Sequence, residues 1–253
     1  MSNNKVKVAF FDFTSCEGCQ IEVTNFGQDA FLGLLDHIEV VEFREAMSEK
    51  TKDRIDVSFI EGSFSRESDR KRLEDIRERS NVVVAYGACA ATGGINALKN
   101  HKCDYSKFVY GKDSEMPHLN SQEAKPISAA IKVDFSVNGC PMDKNEFAYI
   151  VSHLLHGKAP VIPNHPVCVE CKMKENVCRY QLNDHCLGLV ARAGCDARCP
   201  SDGIPCEACR GFIDQPNEQS LNKVLMEKAG FSKERAHNKS RMFTANLRSD
   251  ANE

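Results

Sequence analysis

Cysteine is the residue type through which this chain could do chemistry. The 253 residues include 13 cysteines, of which eight lie between positions 168 and 209 and five are spread through the first 140 positions. Intracellular thiols are kept reduced, so closely spaced cysteines in a protein of otherwise ordinary composition bind metal more often than they form disulfides. The spacing therefore predicts metal centres in two separate parts of the chain.

The earlier part contains one cysteine pair and two isolated cysteines that could complete a four-thiolate site. Cys16 and Cys19 form a C-x-x-C pair, and Cys89 and Cys140 follow at long intervals. A cubane iron–sulfur cluster needs four thiolates from different directions, and a C-x-x-C pair supplies two of them from one tight loop. The pair alone could also be a thioredoxin-like redox site, but that interpretation leaves Cys89 and Cys140 unexplained.

The later part contains two runs of four cysteines. Eight thiolates could bind two further clusters, or they could hold two zinc ions, since a structural zinc site also takes four ligands. Spacing alone leaves both alternatives open. Cys103 is left over and is predicted to be an ordinary thiol. The two runs are Cys168, Cys171, Cys178 and Cys186, and then Cys195, Cys199, Cys206 and Cys209.

Strand-like and helix-like segments alternate through the first 157 residues. Short apolar runs rich in β-branched residues predict five buried strands, and amphipathic or highly charged segments between them predict helices. This order predicts an α/β fold with a flavodoxin-like open parallel sheet, covered on both faces. The predicted strands are residues 6–13, 38–43, 55–60, 81–86 and 131–137, and the predicted helices include 21–35, 66–79 and 143–156.

The early cysteines follow predicted strands. Cys16 and Cys19 come after the first strand, Cys89 after the fourth and Cys140 after the fifth. The carboxyl ends of parallel strands meet at one edge, where open α/β sheets bind ligands, so these four thiols are expected to converge. Glu61 ends the third strand at the same edge. We predict that it is a carboxylate beside the cluster or at a subunit interface, with a simple solvated or hydrogen-bonded acid as the alternative.

The composition changes near residue 157. Prolines and cysteines replace the apolar runs, and a segment so poor in aliphatic side chains builds little core by burial alone, so bound metal is expected to order it. We therefore predict two domains, residues 1–157 with the sheet and residues 158–253 as a small cysteine-rich domain with little regular structure. The second domain is expected to include a short amphipathic patch at 221–226 and a polar C-terminal tail that docks on a partner or is disordered.

Charge and hydropathy exclude some classes of partner. The formal net charge is −3, so no bulk positive field is available for a nucleic-acid backbone. No apolar run reaches the length of a bilayer span, and the first seven residues are mostly polar. Residues 87–94 lack the G-x-G-x-x-G spacing of a dinucleotide site. We expect a cytoplasmic protein that neither binds nucleic acid nor spans a membrane.

Four sequence blocks surround the early cysteines. They are FTSCEGCQ at 13–20, FIEGS at 59–63, GACAATGG at 87–94 and NGCP at 138–141. In order, spacing and placement at strand ends, they resemble the small subunit of [NiFe]-hydrogenases. The later cysteine-rich stretch resembles the cytoplasmic, bidirectional branch of that family, in particular methyl-viologen-reducing (F420-non-reducing) hydrogenases and sulfhydrogenase delta subunits. The resemblance extends over about residues 5–212.

The resemblance implies three [4Fe-4S] clusters and no catalytic site in this chain. The proximal cluster would face a nickel–iron centre in a separate large subunit. The eight later cysteines would hold the medial and distal clusters, with their division left open because ligands can cross between neighbouring clusters. His165 keeps the His-x-x-Cys spacing of exported relatives. Because Cys171 is available as a cluster ligand, we interpret His165 as a residue that is not a ligand. The proximal ligands would be Cys16, Cys19, Cys89 and Cys140.

The implied function is that of an oxidoreductase subunit that relays electrons. Hydrogen would be split in the large subunit, and electrons would leave to a flavin or iron–sulfur acceptor subunit. The acceptor is left open among heterodisulfide reductase, NAD(P) and ferredoxin. Two alternative functions remain. One is a zinc-stabilised interaction module, and the other is a quinone-oxidoreductase small subunit, whose family has adjacent cysteines in its first motif, unlike Cys16 and Cys19.

Overall fold

A parallel sheet forms the centre of the N-terminal part of the chain. The computed structural model describes residues 5–25, 33, 35–101 and 121–247. Their strands are β1 (Val6–Asp12), β2 (Ile38–Phe43), β3 (Ile55–Glu61), β4 (Phe64–Arg66), β5 (Ser80–Tyr86), β6 (Ser121–Lys125) and β7 (Phe135–Val137). Five of these form one sheet in the order β2-β1-β3-β5-β7, with every neighbouring pair parallel. The predicted open parallel sheet is confirmed.

The fifth predicted strand is shorter than expected. Pairing between β5 and β7 starts at Phe135, whereas the apolar pattern predicted a strand from residue 131. The Ile131 backbone N–H donates to the Ile127 carbonyl at 3.1 Å and closes a helical turn instead. The helical turn therefore takes Ile131 away from the sheet, and the Asp134 N–H, which donates to the Val83 carbonyl at 2.9 Å, makes the first bond of this run to β5.

Apolar side chains cover both faces of the sheet, as expected of a buried parallel sheet. On one face Phe10 stacks on Phe59 with ring centroids 5.2 Å apart, and Phe147 packs against Phe59 at 5.0 Å. On the other face Ile60 belongs to a buried cluster with Leu73. Successive strand residues point to opposite faces, so the continuous apolar strands supply both layers of the core.

Helices cover the two faces of the sheet. The first four are α1 (Gly18–Thr24), α2 (Arg70–Arg79), α3 (Ala88–Thr92) and α4 (Lys144–Leu155). α4 begins where the sequence predicts, because the Asp143 side chain accepts hydrogen bonds from the backbone N–H groups of Asn145 and Glu146. α2 begins later than the predicted residue 66, since residues 67–69 form a 3-10 turn. Most of the predicted 21–35 helix beyond residue 25 lies outside the described residues.

A second, two-stranded sheet was not predicted. β4 pairs antiparallel with β6, which lies at the end of a long polar stretch. In β6 only Ala124 is buried, so the sequence has no alternating apolar pattern to mark it. Cys103, in the same polar stretch, lies outside the described residues.

The cysteine-rich part has more core than its sequence predicted. Its helices are α5 (Val167–Met173), α6 (Arg198–Ser201), α7 (Glu218–Ala229) and α8 (Lys233–Ser240). Leu221 and Leu225 of α7 are buried against Val167, Leu187 and Val190 in one apolar cluster. The expectation of a segment almost without a core of its own is therefore wrong, because a helix far along the chain completes that core.

The polar C-terminal segment, which we expected to dock on a partner or to be disordered, packs on the sheet domain as far as residue 247. The Asn246 amide donates to the carbonyls of Thr92 and Ala124 at 3.1 and 2.9 Å. The Thr92 hydroxyl donates in turn to the Phe243 carbonyl. The chain thus returns to its own N-terminal part, and the division at residue 157 stays a prediction. In the described part of the chain, no helix has the length and apolar character needed to cross a membrane.

Candidate metal centres

The structure brings the four early cysteines to one edge of the sheet. Cys16 lies after β1, Cys19 in α1, Cys89 in α3 directly after β5, and Cys140 just after β7. Negative charge on Cys140 and on Cys89 would raise the pKa of Cys19, and charge on Cys16 would raise those of Cys89 and Cys140. Each thiol is therefore close enough to at least two others to interact electrostatically. We call these four residues the first cysteine group.

Close packing at this edge requires a glycine. Gly87 has φ +83°, a backbone conformation that favours glycine. A Cβ atom at this position would collide with the Cys19 sulfur. The first strand-end loop and the loop after β5 therefore approach each other only because residue 87 has no side chain.

Burial makes Cys19, Cys89 and Cys140 weaker acids. For Cys89, burial together with repulsion from the Cys140 and Cys16 thiolates raises the pKa to about 12. Burial also raises the pKa values of Cys19 and Cys140. Four thiolates this close together need positive charge between them, which ferric and ferrous ions supply, so the donor set fits an iron–sulfur cluster.

Glu61 lies behind the C-x-x-C loop and is 2% exposed. Its carboxylate accepts hydrogen bonds from the backbone N–H groups of Cys19 at 3.2 Å and Gln20 at 3.1 Å. Burial raises the pKa of Glu61, and the two hydrogen bonds oppose that rise. The side chain thus ties the first turn of α1 to the end of β3. Of the alternatives, the structure shows a hydrogen-bonded acid and not a solvated one, and the effect of Glu61 on a bound cluster stays a prediction.

The later cysteines form two groups that follow the two runs in the sequence. Burial, together with the charges of Cys186, Cys171 and Cys178, raises the pKa of Cys168 to about 11. A Cβ at Gly188 would lie 3.4 Å from the Cys186 sulfur and 3.6 Å from that of Cys168. We call this set the third cysteine group. It comprises Cys168, Cys171, Cys178 and Cys186.

The second cysteine group comprises Cys195, Cys199, Cys206 and Cys209. Burial, with the charges of Cys195 and Cys199, raises the pKa of the Cys209 thiol to about 11. Burial likewise raises the pKa of Cys206, with contributions from Cys186 of the third group and from Cys209 and Cys195. The run spacing seen in the sequence therefore corresponds to proximity in space.

The three groups lie in series. The Cys140 backbone lies close enough to the Cys209 thiol to lower its pKa, and the Asn138 amide donates to the Arg210 carbonyl at 2.8 Å, so the loops of the first and second groups are joined. The Cys206 backbone N–H donates to the Cys186 sulfur at 3.4 Å, which joins the second group to the third. The second group thus lies between the other two.

The histidines near the cysteine groups are engaged with protein groups or exposed. Across the ranges that the structure describes, no three His, Cys, Asp or Glu side chains are placed to hold a single metal ion together. His165 is exposed, and it contributes only its backbone carbonyl, which accepts from the Ala193 N–H. His185 is hydrogen-bonded to Asp184 and Glu207.

Sequence reasoning missed a buried ion pair next to the second group. Arg210 follows Cys209 and pairs with Glu146 of α4. Both charges were unremarkable in the sequence, because charged residues in a helix or beside a loop are usually solvated. The one available signal was the position of Arg210 directly after the last cysteine of the run.

Comparison with known proteins identifies the family. Residues 16–154 match a family model described as "NADH ubiquinone oxidoreductase, 20 Kd subunit". The chain is 35% identical over 223 residues to the delta subunit of sulfhydrogenase 2 from Pyrococcus furiosus, covering 88% of this chain and 93% of that protein. The chain belongs to the [NiFe]-hydrogenase small-subunit family. It is also 35% identical to a subunit of the vhu F420-non-reducing hydrogenase of Methanocaldococcus jannaschii, over 86% of this chain and 85% of that one.

Solved structures agree on the fold of this hydrogenase family. An actinobacterial-type NiFe-hydrogenase from Ralstonia eutropha H16 superimposes with a TM-score of 0.58, at 17% identity, over 98% of this chain and 93% of that one. An NAD+-reducing [NiFe]-hydrogenase chain gives 0.55 at 23% identity, over 63% of this chain and 96% of that one. As a member of the small-subunit family, the chain is a subunit of an oxidoreductase. Its relatives include hydrogenase subunits and not quinone oxidoreductases alone.

Proposed function

We propose that this chain is the electron-transfer small subunit of a cytoplasmic [NiFe]-hydrogenase. In this proposal it relays electrons from hydrogen oxidation in a separate large subunit, through three [4Fe-4S] clusters, to a flavin or iron–sulfur acceptor subunit. The observation that carries the proposal is the serial contact of three four-cysteine groups. A cytoplasmic location is supported by a cysteine content that suits a reducing compartment.

Each cysteine group would hold one cluster. The first group would be proximal, the second medial and the third distal, which assigns all twelve described cysteines. When bound, clusters of this type accept and release single electrons. The protein holds their ligands on loops between buried elements, limits access of water by burial, and places backbone N–H groups against sulfur, as Cys206 does for Cys186.

The two ends of the series would face different partners. Cys16 and Cys140 of the first group are exposed, and Ile21 nearby in α1 is half exposed, which suits contact with a large subunit. At the other end Cys178 is exposed, and Met173 beside it is 80% exposed. We assign that end to the electron-acceptor subunit, because electrons need an outlet where a ligand of the outer cluster reaches the surface.

The test is to purify the complex from its native source and analyse its metals and subunits. We expect iron and acid-labile sulfide in equal amounts, hydrogen-dependent reduction of methyl viologen, and a co-purifying large subunit that contains nickel. A chain that binds zinc alone, or an iron-loaded complex that never reduces the dye with hydrogen, would contradict the proposal.

A further inference from the structure

A buried ion pair joins the sheet domain to the cysteine-rich part. Arg210 is 2% exposed, and its Nη1 and Nη2 atoms donate to the two carboxylate oxygens of Glu146 at 2.7 and 2.6 Å. Glu146 lies in the first turn of α4, whereas Arg210 directly follows Cys209 of the second group. Charges this deeply buried are tolerated only when they are paired and hydrogen-bonded.

The remaining donors of Arg210 bind the loops that carry other cysteines. Nε donates to the Ala193 carbonyl at 2.9 Å, two residues before Cys195. Nη1 also donates to the Asn138 carbonyl at 2.6 Å, two residues before Cys140. The Asn138 amide returns a hydrogen bond to the Arg210 carbonyl at 2.8 Å. One residue therefore contacts loops of both the first and the second cysteine group.

The neighbouring loop is shaped around this pair. A Cβ at Gly194 would collide with Arg210 Nη2 and would lie 2.9 Å from Glu146 Oε1, and Gly194 has φ +112°. Its backbone N–H donates to Glu170 Oε1 at 2.7 Å, which fixes the loop from the other side. Directional hydrogen bonds therefore hold the Arg210 guanidinium in one position. Apolar packing alone would not fix its orientation in this way.

We propose that Arg210, held by Glu146, is a positioning residue that fixes the spacing of the first and second cysteine groups for electron transfer between the clusters they hold. The inference rests on the proposed function, since it presupposes clusters at both groups. An apolar pair of similar volume could replace the ion pair at little cost in stability. The pair is therefore better explained by the orientation it imposes than by the stability it adds.

Arg210 also places a fixed positive charge beside the second group. Arg210 directly follows Cys209 in the chain, and its Nε atom donates to the Ala193 carbonyl on the loop that carries Cys195. Positive charge favours the more negative, reduced form of a cluster. Loss of the guanidinium should therefore lower the reduction potential of the cluster at the second group.

The test compares three versions of the purified complex by electron paramagnetic resonance during a redox titration. In Arg210→Met/Glu146→Leu we expect unchanged iron and sulfide and a weakened magnetic interaction between the reduced first and second clusters. The potential of the second cluster should fall, because Arg210 directly follows Cys209 and contacts the Cys195 loop, whereas the carboxylate that is also removed lies on α4. In Arg210→Lys, which keeps the charge and loses the fork, the interaction should weaken while the potential stays close to that of the unaltered protein.

A matched control uses an ion pair that contacts no cysteine loop. Arg77 and Asp134 pair at 2.6 Å within the sheet domain, and Arg77→Met/Asp134→Leu should leave interaction and potentials unchanged. An unaltered magnetic interaction in both Arg210 variants would overturn the inference. If the double variant loses iron, the magnetic interaction in Arg210→Lys is the deciding measurement, and an unaltered interaction there would overturn the inference. A complex without iron–sulfur signals before any substitution would instead refute the proposed function.

Discussion

At the scale of residues, the candidate site depends on thiols that the fold makes reluctant to ionise. Burial is the largest cause of the raised pKa in each group, as for Cys89 at about 12 and for Cys168 and Cys209 at about 11. A metal-free site at neutral pH is therefore mainly neutral. Binding of iron must displace protons, and the energy for that comes from forming the iron–sulfur bonds.

Replacement of one thiol should empty one group only. In Cys89→Ala we expect loss of about a third of the bound iron and sulfide, because a cluster with three thiolates is poorly held while the other two groups keep theirs. Hydrogen-dependent dye reduction should fall with it. Cys103→Ala is the control and should keep full iron content. Normal iron and activity in Cys89→Ala would remove this residue from the ligand set.

Iron retention should depend on pH in a defined direction. Raised thiol pKa values mean that protons compete better with iron as the pH falls, so a chelator should remove iron faster at about pH 6 than at about pH 9. The stability of the metal-free fold should change in the opposite sense. Its neutral thiols are favoured below their raised pKa values, and the fold loses stability as the pH rises toward them. A chelation rate independent of pH would contradict this account.

At the scale of elements, strand ends place the first group and a glycine lets two loops meet. α1 follows β1 across the short loop 13–17, and α3 follows β5 across Gly87, so their first turns carry Cys19 and Cys89 to the same edge. Glu61 at the end of β3 binds the first turn of α1 and fixes its direction. The sequence predicted this convergence from strand order, but not the contact between residue 87 and the Cys19 sulfur.

A methyl group at position 87 should disturb the first cluster. Gly87→Ala collides with the Cys19 sulfur, so we expect loss of iron from the first group and loss of its magnetic resonance signal. Gly157→Ala is a matched control, since Gly157 also has positive φ, +65°, but a Cβ there meets nothing within 4 Å. It should cost about 1 kcal/mol in urea unfolding and keep all iron. Equal iron loss in both variants would assign the effect to backbone strain.

At the scale of the whole molecule, the series of three cysteine groups runs between two surfaces of the protein. These surfaces differ in the side chains that they expose. Large apolar side chains are exposed on the loops around the third group, among them Met173, Val177 and Leu182. Asn176, between two of them, donates to the Ser201 hydroxyl of α6, so the patch also borders the second group. Exposed apolar residues beside a redox site are typical of a surface that a partner covers.

A charge placed in this patch should separate physiological from artificial electron transfer. In Met173→Glu we expect the affinity for the native acceptor subunit to fall by about 1–2 kcal/mol, roughly tenfold in Kd, because the carboxylate would be desolvated in the interface. Reduction of a small dye should be unchanged. The control Met226→Glu lies on α7, which bears no cysteine, and should change neither. If Met173→Glu lost both the reduction of the native acceptor and the reduction of the dye, the substitution would be acting on electron transfer between the clusters and not on the acceptor interface.

The sequence by itself determined the sheet, the strand-end position of the first group and the division of the eight later cysteines into two runs. These depend on local patterns, namely apolar runs, turn residues and cysteine spacing, which act within a few residues. The four motif blocks indicated the family for the same reason, because each block is a local pattern of residues. Even the start of α4 was predictable, because Asp143 caps its own helix.

Only the tertiary structure decided which groups are neighbours and what holds them there. The contacts from Cys140 to Cys209 and from Arg210 to Glu146 join residues more than sixty positions apart, and no local pattern marks either pair. The polar C-terminal segment was misjudged on the same grounds, since its anchor is Asn246 on Thr92 rather than an apolar face. Directional bonds between distant polar groups exist only once the chain has brought them together and excluded water, so composition and periodicity carry no trace of them.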